Sequence, residues 1–93
     1  MTLDEMSKIN RQLRDEKADF ISRLKILFKA DRRSEVESMS YDVVPNFNED
    51  GSLVTSYEEI ITITFKGGLA IRTNVTGDSC RAIYIDVGRA VYG

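Results

Sequence analysis

The first 33 residues contain neither glycine nor proline, whereas all six glycines and the single proline follow them. A stretch that long without a helix breaker or turn former is one continuous helix, and the remainder must supply everything else. At 93 residues the chain has room for one core, so the two segments are halves of a single domain spanning residues 1–93. Charge divides at the same point. Residues 1–33 hold nine basic groups against six acids, and residues 34–93 hold four against nine.

The helix is expected over residues 2–30. Thr2 and Glu5 fit a capping box, and Asp4 and Glu5 suit the positive end of the helix dipole. Leu3, Met6, Leu13, Phe20, Leu24 and Leu27 recur in steps of three and four, interrupted by Asn10 and Lys17. Ile9, Ile21, Ile26 and Phe28 widen this stripe.

Residues 35–87 read as an antiparallel meander of four strands: Glu35–Val44, Val54–Phe65, Leu69–Val75 and Arg81–Val87. A three-residue turn at Lys66-Gly67-Gly68 opposes Ile63 to Ile71 and Ile61 to Thr73, which gathers the apolar groups on one face. A matching turn at Gly77-Asp78-Ser79 would oppose Ile71 to Ile85 and Thr73 to Ile83. The expected fold is α+β and two-layered, one long helix across a four-stranded antiparallel sheet.

Equipment for chemistry is sparse. There is no histidine, the commonest acid–base group and metal ligand, and one cysteine cannot form an internal disulfide. Cys80 reads as a small filler on a strand. Asn46–Gly51 echoes the start of a calcium loop, but its opening acid is Asn46 and its twelfth position is Tyr57, so a polar hairpin loop is expected. Gly67-Gly68 joins two strands and is no phosphate loop, and Asn74-Val75-Thr76 is a chance glycosylation match. The expectation is therefore no catalytic, metal or cofactor site. No apolar run approaches the ~20 residues of a membrane span, and the net charge of −2 argues against coating nucleic acid.

Two surfaces ask for a partner. A helix of about 29 residues is ~43 Å long, while a strand of about eight residues reaches only ~27 Å. Leu3, Met6, Ile9 and Leu13 would then overhang the sheet, to be covered by a second copy or a target protein, unless the helix kinks near Asp15–Lys17. Asn10 and Lys17 would set register between paired helices. The second surface is the open sheet face, where the expected register sets Thr62, Arg72 and Tyr84 in one row beside Asp86. An arginine and a tyrosine there suit an interface, or a small anionic ligand.

These features lead to the expectation of a non-enzymatic, cytoplasmic protein-interaction module. A small inhibitor of the kind encoded by viruses or mobile elements is one form of it. Its partners would be a target protein or the chain itself, as a homodimer or higher oligomer. The alternative is a nucleotide-like small-ligand binder. A nucleic-acid binder using the basic helix ranks third, because its lysines and arginines alternate with acids at ion-pairing spacing.

Overall fold

A computed structural model describes all 93 residues. Five elements follow in order: α1 (Leu3–Ala30), β1 (Val36–Phe47), β2 (Val54–Phe65), β3 (Ala70–Asn74) and α2 (Cys80–Tyr92). The strands form an antiparallel sheet in the order β1-β2-β3. It has three strands, not four. The segment Arg81–Val87, expected as a fourth strand, lies inside α2.

The start of α1 is capped as its sequence suggests, with Thr2 Oγ1 accepting the Glu5 amide at 3.2 Å. The helix then runs uninterrupted to Ala30, with no break near Asp15–Lys17. At the other end the buried Ser34 hydroxyl donates to the Phe28 and Asp31 carbonyls, turning the chain from helix into β1. These bonds satisfy carbonyls that a helix end leaves without partners.

β2 has its expected bounds, and β1 runs three residues past its expected end at Val44. Each strand has 12 residues, about 40 Å of strand against about 42 Å of helix. The expected overhang therefore disappears. The Val54 amide donates to the Met1 carbonyl at 2.8 Å, tying the far end of the hairpin to the start of α1. Met6 is buried, Ile9 and Leu13 are half-buried against the core, and only Leu3 stays exposed.

β1 continues through Pro45 to Phe47, past the expected end at Val44. As an edge strand, β1 offers half its amides to no neighbour. Arg14 reaches across that edge to donate to the Tyr41 carbonyl at 3.0 Å. Pro45, an even number of residues on, presents its missing N–H to the same open side.

The register of β2 and β3 matches the sequence pattern, with Ile61 opposite Thr73, Thr62 opposite Arg72 and Ile63 opposite Ile71. The inner face carries Met39, Tyr41, Val43, Ile61 and Ile63, all buried. Ile21, Leu24 and Phe28 of α1 cover it, joined by Ile83 and Val87 of α2. The second helix begins because the Ser79 hydroxyl accepts the Ala82 amide at 3.2 Å, a cap in place of the expected hairpin turn. Gly88 sits in mid-helix, and a β-carbon added there meets nothing within 4 Å. Gly88→Ala should therefore raise stability by about 0.5–1 kcal/mol in urea unfolding, because alanine loses less backbone freedom in a helix.

Candidate functional site

The residues expected to form one sheet-face surface are scattered. Thr62 and Arg72 do face each other on the outer side of the sheet. Tyr84 and Asp86 belong to α2, whose buried residues join the core on the opposite side, so the row linking Arg72 to Tyr84 does not exist. Cys80, expected within a strand, is an exposed residue at the start of α2. The segment Asn46–Gly51 leads into a tight hairpin turn, where Asn48 Oδ1 accepts the Leu53 amide and Asp50 accepts the Ser52 amide. No group of three or more histidine, cysteine or carboxylate side chains is placed to hold a metal ion.

Lys17, which interrupts the apolar stripe of α1, points into its own domain and not toward a second helix. Its ammonium meets the carboxylate of Glu59, a buried residue of β2. Tyr41 donates to the same carboxylate oxygen at 2.6 Å, and the Gly77 amide donates to the other at 2.7 Å. Burial pushes the Glu59 carboxyl up, but bonds from Lys17, Tyr41 and Gly77 outweigh it and hold the group below its ordinary value. Burial, followed by the bond to Glu59, raises the Tyr41 phenol. Nearby, a hydrogen bond with Asp86, with burial adding to it, raises Asp78. Asp78 Oδ2 is buried and has no hydrogen-bond partner. Every polar atom of Glu59 is engaged in holding α1, β2 and the β3–α2 loop together.

A different place collects unsatisfied surface. Where the end of α1 meets α2, a groove of about 320 Å³ opens over Phe28. Its floor is aromatic, with the Phe28 ring 6.1 Å from Tyr84 and 5.9 Å from Tyr92. Leu27 forms one wall, and Ile85 and Gly88 form the other. At one end the Tyr92 hydroxyl donates to Asp31, and the Arg33 guanidinium lies 5.4 Å from the Tyr92 ring centre. The bond from Tyr92, then those from Arg33, draw the Asp31 carboxyl down to about 2. That end is thus a fixed, ionised pair.

Leu27, Tyr84, Ile85 and Tyr92 are each between 42% and 50% exposed, a concentration of apolar side chains that a closed core would have hidden. Of the residues expected to bind a partner, only Tyr84 lies here. The sequence pattern places Leu27 in the helix stripe and Ile85 on an inner strand face. The cue that finds the groove is Ser79 as a helix cap, since the groove exists only if Cys80–Tyr92 is helical. Comparison with known protein families, curated proteins and solved structures returns no match.

Proposed function

We propose that the protein is a non-enzymatic interaction module that receives an apolar, acidic segment of a protein partner in the α1–α2 groove. The observation that carries this reading is the cluster of half-exposed apolar side chains lining it, two of them tyrosines. Tyrosine and arginine are the side chains that most often anchor protein interfaces. The charge around the groove selects the partner. Arg81 and Arg89 flank Ile85 at four-residue spacing on α2, with Arg32 and Arg33 at the end of α1, all exposed. Asp31 is the single acid among them, and it is already paired. Covering such a segment on a target would block the target's own use of it, which is how a chain of this size can inhibit.

Selection from a displayed random-peptide library tests the reading. Recovered peptides should combine large apolar residues with acids, and Ile85→Asp should weaken their binding by about tenfold or more without lowering the melting temperature. Peptides of no common chemistry, or binding indifferent to Ile85→Asp, would overturn it.

A further inference from the structure

The domain carries a matching plug of its own, at the opposite pole. The tip of the β1–β2 hairpin holds Phe47 and Leu53, exposed by 47% and 46%, on either side of Glu49 and Asp50. From Glu35 to Phe65 the sequence has seven acids and no lysine or arginine, and the two at the tip, Glu49 and Asp50, are exposed. Its tip is held in one shape. The Gly51 amide donates to the Asn48 carbonyl at 3.1 Å, and the Asn48 amide donates to the Leu53 carbonyl at 3.0 Å. A projection already ordered loses little freedom on docking.

The plug cannot reach its own socket. The tip lies beside the start of α1 and the groove lies at its end, about 42 Å away along a helix of 28 residues. The molecule is 46 Å long and 24 Å at its next widest, so these features occupy its two ends. Any pairing between them joins two molecules.

We propose that the occupant of the groove is the Phe47–Leu53 hairpin tip of a second copy of this chain, which makes a head-to-tail contact. This rests on reading the groove as a docking site. Phe47 and Leu53 would meet Leu27, Tyr84 and Ile85, while Glu49 and Asp50 would meet Arg81 and Arg89. The cavity has room for an apolar side chain or two, which suits a hairpin tip better than a whole helix. Because the two contacting patches differ, each added copy leaves one tip and one groove free, and the assembly grows as a chain or closes as a ring. Its strength should fall with added salt, since exposed charges are screened.

Sedimentation of the whole protein over a range of concentrations tests this, using two variants at exposed positions. Ile85→Asp spoils the groove, and the double variant Phe47→Ser, Leu53→Ser spoils the tip. Wild type should grow beyond a dimer as concentration rises into the high micromolar range. Each variant alone should associate at least about tenfold more weakly. An equimolar mixture should restore a species of two chains and no more, because one intact tip then meets one intact groove. Circular dichroism confirms that both variants are folded. A monomeric wild type, or a mixture that restores nothing, would overturn the proposal; so would a tip variant that associates as tightly as wild type, which would indicate a symmetric groove-to-groove pair. The groove's role as a docking site is judged separately, by whether selected peptides still depend on Ile85.

Discussion

Replacing Lys17 with methionine should cost the fold about 3–5 kcal/mol at neutral pH, the largest loss expected from changing any charged residue. Methionine keeps the unbranched shape and packs as well against Tyr41. What it removes is the only cation on the buried Glu59 carboxylate, whose relative exposure is 2%. Tyr41 and the Gly77 amide still donate to that carboxylate, but neither carries a charge to offset its loss of water. The cost is that of an uncompensated buried ion and not the net worth of the pair. Adding Glu59→Gln to Lys17→Met should therefore recover part of the loss, so the double variant unfolds at a higher urea concentration than Lys17→Met alone. Acid shows the same linkage. The folded state holds Glu59 below its ordinary value, so its contribution is present above the usual carboxylate range and is lost as pH falls through the folded value. Without Lys17 that depression shrinks or reverses. The gap between wild type and Lys17→Met should then be widest near neutrality and narrow as the solution is made acid. A constant gap across pH, or a double variant less stable than Lys17→Met, would contradict the assignment.

Half of this arrangement was legible from sequence. Lys17 stands out as a charge inside an apolar stripe, and a second copy of the helix was one explanation for it. The nearer explanation also lay in the residues. Glu59 has the same strand parity as Ile61 and Ile63, so any register that buries those isoleucines turns Glu59 inward as well. A carboxylate on a buried face requires a cation, and the helix lying across that face supplies one at Lys17. The β2–β3 register was readable for the same reason, because a one-residue slip would expose Ile63 and Ile71. The length of β1 was hidden by Pro45, whose effect depends on whether the strand lies at an edge, a property of the assembled sheet. The expected overhang of Met6, Ile9 and Leu13 has another origin, a strand of about eight residues set against the helix although Val54–Phe65 alone spans 12. The candidate groove was not visible at all, because it depends on the conformation of residues 80–92.

That conformation can be tested with a single pair of substitutions. Residues 83–87 place Ile83, Ile85 and Val87 in strict alternation, and such β-branched residues favour strands. The same segment places Ile83, Val87 and Val91 four residues apart, the spacing of one helix face. Local preference alone does not choose between these patterns, but cover for the core does. With α1 lying mainly over β1, the inner face beside β3 still needs an apolar lid, and a helix delivers Ile83 and Val87 there, both fully buried. Ser79 then serves as a cap, and the backbone bonds of residues 80–92 close within the helix instead of depending on a five-residue edge strand. In a fourth strand Ile83 and Ile85 would share the inner face, and their truncation would cost similar amounts. In the helix they part company: Ile83 is fully buried, whereas Ile85 is 42% exposed on the groove wall. Ile83→Ala should accordingly lower stability by about 2–5 kcal/mol through a core cavity. Ile85→Ala should remain within about 0.5 kcal/mol of wild type. Urea unfolding of the two variants side by side reads the difference directly. Equal losses would restore the fourth strand and remove the groove, because its Tyr84 and Ile85 wall exists only on a helix that turns Ile83 inward and Ile85 out.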